Sequence, residues 1–191
     1  MQIFVENVTT ASMFREISSV RRKVFENEWL KKIPPLTLET TGTAWHLVAR
    51  TAELGLPVAA LSVVETTADH SLHRRYALHF PDNARVARLT QLAVLTSFRG
   101  LGIPRQLISE AIQRVVQPQN FDFTWLLFDA SRAESCTLVA DFDYSASPYV
   151  LQTEYGLCRV LTRDERRSHG REIGANLWMT EPKIQEPTLP L

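Results

Sequence analysis

The spacing of apolar positions divides the chain into alternating strands and helices. Residues 2–8 alternate about Ile3, Val5 and Asn7, the two-residue period of a short strand, and Thr9 and Thr10 then offer hydroxyl caps for a helix. From residue 11 to about residue 29, Met13, Phe14, Ile17, Val20, Val24 and Phe25 recur three or four apart, which predicts a helix with one buried stripe that ends before Pro34 and Pro35. The Thr-rich segment 36–44, with Gly42, reads as a loop leading into a strand over 45–49. Gly55-Leu56-Pro57 marks a turn. Residues 58–64 then form a nearly continuous apolar run broken only by Ser62, the pattern of a central strand covered on both faces. Segment 66–83 is polar and basic, yet Leu72, Tyr76 and Phe80 lie four apart and predict a helix inside it. A strand over 88–94, a loop over 95–103 and a helix starting at Pro104 follow, with Leu107, Ile108, Ala111, Ile112 and Val115 as its apolar face. Further on, the pattern predicts a strand over 124–128, a short helix from Ser131 through 140, and strands over 158–161 and 175–180. The class is mixed α/β: one domain over 1–180 and a proline-containing tail over 181–191, with no internal repeat and no linker.

Composition narrows the function. With 191 residues, 45% hydrophobic and 22% charged, the chain is long enough to bury a core without disulfide or metal staples. Twenty-one basic residues against 21 acidic ones give no net charge, which argues against nucleic acid or an anionic membrane as the general partner. The two cysteines, Cys136 and Cys158, form neither a CxxC pair nor a disulfide framework, and the start MQIFVENVTT lacks a signal-peptide pattern. The expected compartment is the cytoplasm. The apolar run 58–64 is far below the ~20 residues needed to span a bilayer, so no membrane insertion is expected. His70, His73 and His79 are not joined by a cysteine or carboxylate cluster, so no metal site is expected either.

Chemistry concentrates in residues 91–105. A strand, a loop with Gly100 and Gly102, and a helix start make an anion site, because glycines allow close backbone approach and orphan amides at a helix start favour phosphate. Arg99 and Arg105 add positive charge. An ordinary strand-to-helix turn would have the same glycines. Neither G-x-G-x-x-G nor a G-K-[ST] ending is present, which removes the dinucleotide and nucleoside-triphosphate patterns.

The run Arg99-Gly100-Leu101-Gly102-Ile103-Pro104 resembles the acyl-CoA-binding signature Q/R-x-x-G-x-G/A of the GNAT superfamily of N-acyltransferases. Pro104 stands where the family carries Gly or Ala, so one backbone amide is absent. Upstream, Val20-Arg21-Arg22-Lys23-Val24-Phe25-Glu26-Asn27-Glu28 resembles the first-helix pattern I/L-R-x-x-V-F-x-x-E of several acyltransferase branches, and His46-Leu47-Val48-Ala49 resembles the strand after it. The fold this resemblance implies is a twisted mixed sheet of six to seven strands with helices on both faces, opened between two central parallel strands.

The activity it implies is transfer of an acyl group, acetyl or longer, from acyl-CoA to a primary amine of a small molecule or amino acid. Leu92, Ala93 and Val94 would hold the pantetheine as an added strand, residues 99–105 the pyrophosphate, and an amide near Val94 the thioester oxygen. The amine needs a base or a water relay; Glu65, Glu28 and His46 are the candidates. The leaving thiolate needs an acid. Gln152 occupies the family's expected tyrosine position, four residues ahead of Gly156-Leu157, which leaves Tyr149 or Tyr144. Arg21-x-x-x-Phe25 and the helical insertion also resemble the acyl-homoserine-lactone and N-acyl amino acid synthase branches, whose donor can be acyl carrier protein. Leu72, Tyr76 and Phe80 would then line an acyl chain, or simply pack that helix on the sheet. A homodimer is compatible with the resemblance, and a binding module that has kept the fold without turnover is the competing class.

Overall fold

The computed structural model describes residues 2–29, 40–66, 75–130, 138, 141–153 and 156–166. Seven strands, β1 (Ile3–Asn7), β2 (Thr40–Thr51), β3 (Pro57–Thr66), β4 (Val86–Val94), β5 (Phe123–Asp129), β6 (Ser145–Thr153) and β7 (Gly156–Asp164), form one sheet in the order β1-β2-β3-β4-β5-β7-β6. Neighbours are antiparallel throughout except for β4 and β5, which are parallel. The expected mixed α/β sheet is present, with helices on both faces.

Helix α1 (Ala11–Arg22) starts where the Thr10 hydroxyl accepts from the Met13 N–H at 3.2 Å. Past Arg22 the helix continues in a wider turn, closed by the Trp29 N–H on the Val24 carbonyl at 3.1 Å. Ile17 packs on Val48 and Ala60, and Val20, Val24 and Phe25 pack on Ala93, so α1 runs along one face from β2 to the end of β4. On that face Arg50 of β2 bridges Glu6 of β1 and Glu16 of α1. Helix α2 (Ile103–Ala111) covers the other face, burying Ile103, Leu107, Ile108 and Ala111 with Val5, Leu47, Leu61 and Val94. It starts one residue ahead of Pro104, which therefore takes the second helical position. Proline fits there, because that N–H lacks a helical partner anyway.

Two departures shape the site. The pairing of β4 with β5 runs only from Val86 opposite Phe123 to Leu89 opposite Leu126. Beyond Leu89 the strands part. The cause lies on the other side of β4, where Ala60 faces Ala93 but Ser62 already faces Thr90, so an extra residue is accommodated about Gln91, whose φ is +54°. Such a bulge bends its strand, and here it turns the end of β4 away from β5.

Elsewhere the predicted pattern is corrected by context. Arg75 and Tyr76 are helical, as expected at this end of the insertion, and Ala77, with a φ of +53°, ends that helix, so of the expected apolar positions Phe80, buried like Leu78, lies beyond it on non-helical chain. Tyr76 meets Trp125 at 5.0 Å and Phe80 meets Phe123 at 5.3 Å between ring centroids, so these two residues pack the insertion onto β5. Strand β6 was not expected from its sequence, since Pro148 and its polar residues mask a period-two pattern. As an edge strand it pairs with β7 alone and tolerates a proline. Leu72, His70, His73, Cys136, the 175–180 strand and the 181–191 tail lie outside the described residues, as does the 131–140 helix apart from Leu138. Among the described residues no helix is long and apolar enough to cross a membrane.

Candidate active site

The opening between β4 and β5 and the loop that follows it bring together the whole run from Leu92 to Arg105. The Leu95 N–H donates to the Val58 carbonyl at 3.0 Å, which directs Leu95 toward β3. By strand alternation, Val94 points its N–H and carbonyl the other way, into the opening. That carbonyl accepts from Arg99 Nε at 3.2 Å. Leu92 is half-buried, and Ala93 lies buried under the end of α1.

Gly100 and Gly102 have φ of +77° and +73°, left-handed conformations that suit glycine, and a Cβ built on either would meet nothing within 4 Å. The glycines therefore serve backbone shape and leave the space beside the loop open. Gly102 precedes α2 without a side-chain cap. The Gln106 N–H is used by the Gly102 carbonyl at 3.1 Å, and Pro104 has no N–H, so Ile103 and Arg105 supply the helix-start amides beside that space.

The two arginines differ. Arg105 is exposed and pairs with Asp141. Arg99 turns back, pairing with Glu28 and lying 5.8 Å from the Trp29 ring, so it braces the loop against the end of the first helix. Burial would raise the Glu28 pKa, but hydrogen bonds from Thr96 and Arg99 outweigh it and hold the carboxyl below its ordinary value. As an ionised brace, Glu28 is a poor reservoir for the amine proton.

The expected catalytic side chains are dispersed. Glu65 faces Ala87 at the closed end of the sheet and pairs with Arg85 at 3.0 Å, six residues along β3 from Ala59, the partner of Val94. Tyr149 is half-buried in β6, within an irregularity between the pairs Ala146–Leu161 and Val150–Arg159. That places it across from Val160, which faces Leu127, the first β5 residue beyond the last β4 pair. Tyr149 is thus level with the opening, two strands beyond it. The Tyr144 hydroxyl shares a hydrogen bond of 2.9 Å with Thr124, and burial raises its pKa well above the usual phenol value. Thr124 faces Ala87, so Tyr144 belongs to the closed end.

A buried polar group lies next to the opening that the sequence pattern disclosed only in part. His46, Ser62 and Thr90 face one another across β2, β3 and β4. Arg21 reaches in from α1, its Nη2 donating to Ser62 Oγ at 2.5 Å, and Ser62 Oγ in turn shares a hydrogen bond of 2.7 Å with His46 Nδ1. His46 is held neutral; burial, then the Arg21 charge, lowers its pKa to about 4. A base that weak does not draw a proton from an ammonium group near neutral pH. The signal for this cluster was Ser62 itself, a single polar residue inside an apolar central strand.

No protein-family model and no curated protein matches the sequence. Solved structures match over most of the chain. FeeM, an N-acyl amino acid synthase from uncultured soil microbes, is 8% identical with a TM-score of 0.66, covering 88% of this chain and 94% of its own. An acyl-CoA N-acyltransferase from Pseudomonas aeruginosa is 16% identical with a TM-score of 0.61, over 85% and 99%. The spermidine N-acetyltransferase from Vibrio cholerae, solved in complex with CoA and spermine, is 11% identical with a TM-score of 0.60, over 86% and 96%. The chain has the fold of the GNAT N-acyltransferases, and its opened β4–β5 seam and two-glycine loop occupy the places the sequence resemblance assigned to them.

Proposed function

We propose that the protein is an N-acyltransferase that moves an acyl group, in the first instance acetyl, from acyl-CoA to a primary amine of a small molecule by direct attack. The observation that carries this reading is the Val94 N–H directed into the opening, next to a loop whose glycines leave open space and whose helix start offers amides. The pantetheine arm lies along the free edge of Leu92, Ala93 and Val94, and the pyrophosphate lies against residues 99–105. The amide aimed at the thioester oxygen, of the type known to contribute about 3 kcal/mol, acts as charge builds there. The amine nitrogen bonds to the carbonyl carbon, the carbon–sulfur bond breaks, and the amine proton leaves through water, since Glu28, the candidate carboxylate nearest Val94, is engaged by Thr96 and Arg99 and is too weak a base. For protonation of the thiolate our candidate is Tyr149, which is level with the opening although two strands beyond it; Glu65 at the closed end pairs with Arg85 instead.

Thermal melting of the full chain with acetyl-CoA, a longer acyl-CoA and free CoA tests the reading. At 100 times its dissociation constant a ligand adds about 2.7 kcal/mol of stability. No shift with any of the three removes the donor site, and the acyl-CoA with the largest shift at equal concentration identifies the chain length. Gly102→Ala sharpens the test: strain from the left-handed backbone should cost on the order of 1 kcal/mol, while the CoA-induced shift should shrink much more, because the new methyl group occupies the open space. Equal loss of stability with an unchanged shift would make the loop a plain turn.

A further inference from the structure

Arg21 is a buried cation without an anion among the described residues. It is 4% exposed, its Nη2 is used by Ser62, and its Nε meets no hydrogen-bond partner. Among the described residues no carboxylate pairs with it, and burial lowers its pKa to about 10. Arg50, on the same face of the sheet, has two glutamates. A guanidinium enclosed in this way is destabilising in the free protein, and folds ordinarily place an acid beside it. The location is informative. Ser62 faces Thr90, one residue beyond the last β4–β5 pair, so the guanidinium lies under α1 one strand from the inner end of the opening, where β4 and β5 begin to part.

We propose that the acceptor supplies the missing charge, and that Arg21 is the recognition residue for the carboxylate of an amino-acid acceptor whose amine is thereby set toward the thioester. This rests on the acyltransferase reading above. The free edge of a guanidinium matches the two oxygens of a planar carboxylate. His46, kept neutral by burial beside Ser62, adds no second positive charge, so the site suits a monoanion better than a phosphate. A polyamine or a plain alkylamine would leave Arg21 as it is in the free protein.

The test compares matched pairs, an amino acid and the amine formed by its decarboxylation, such as leucine with isopentylamine and phenylalanine with phenethylamine. Release of the CoA thiol is followed with the full chain and with Arg21→Met and Arg21→Lys. For the wild type, KM for the amino acid should be lower than for its partner by roughly 10- to 100-fold, the range of one charge-assisted hydrogen bond. Arg21→Met should erase that preference without lowering the melting temperature of the ligand-free protein, and its CoA-induced shift should match the wild type. Should Arg21→Met fail to fold, Arg21→Lys, which keeps the charge and loses the fork, decides by an intermediate preference. Equal turnover of both pair members, or a preference that survives Arg21→Met or is undiminished in Arg21→Lys, overturns the assignment while leaving the acyltransferase reading in place. Absence of any CoA-induced shift in the wild type overturns both.

Discussion

Burial and the neighbouring Arg21 charge lower the pKa of His46 from 6.5 to about 4. Between those pH values the unfolded chain binds a proton at this position and the folded chain does not, so stability rises with pH. The slope reaches about 1.4 kcal/mol per unit for one proton. The contribution is complete above pH 6.5 and is lost as the pH falls toward 4. His46→Gln keeps a hydrogen-bonding partner for Ser62 and removes the titration. Its melting temperature should therefore vary less over this range than that of the wild type, and equal slopes would assign the titration to another group. At this scale the sequence was informative about identity and silent about partners. His46 and Arg21 both stood in recognisable runs, and Ser62 was visible as an interruption of an apolar strand. That the three meet depends on register between β2 and β3 and on the placing of α1, neither of which is a local property.

The start of α2 is an element whose local chemistry was legible from glycine and proline alone. Its one departure from the resemblance makes a prediction with two signs. Pro104→Gly restores an amide at the second helical position, where it has no helical partner and faces the same side as those of Ile103 and Arg105. CoA affinity should rise, by an amount up to that of a charge-assisted hydrogen bond, about 1.5–3 kcal/mol. The free protein should melt lower, since glycine gives the unfolded chain more freedom, on the order of 1 kcal/mol. Calorimetric titration with CoA and melting without it check both signs. A lower melting temperature with unchanged affinity would mean that this amide does not face the phosphates. The bulge at Gln91 shows the opposite situation. Nothing in Leu89-Thr90-Gln91-Leu92 announces a left-handed residue, because glutamine adopts that conformation only when the neighbouring strands require it.

At the scale of the molecule, four residue pairs between β4 and β5 join the two halves of the sheet, and the seam beyond them is open. Amide exchange should reveal it. Leu95, which donates to Val58, should be protected with and without CoA, whereas Val94 should exchange quickly in the free protein and slowly when acetyl-CoA is bound. Protection of Val94 in the free protein would mean that the seam is closed in solution. The sequence by itself determined the α/β class, the burial of β3, the first helix and the glycine loop, because period, proline and glycine act over a few neighbouring residues. It could not place Glu65 at the closed end, set Tyr149 level with the opening, turn Arg99 back onto Glu28, or enclose Arg21 with no counter-ion among the described residues. Those outcomes depend on which residues face each other across strands distant in sequence, and only the tertiary structure decides them, since register and the β4 bulge arise from packing of the whole sheet between α1 and α2.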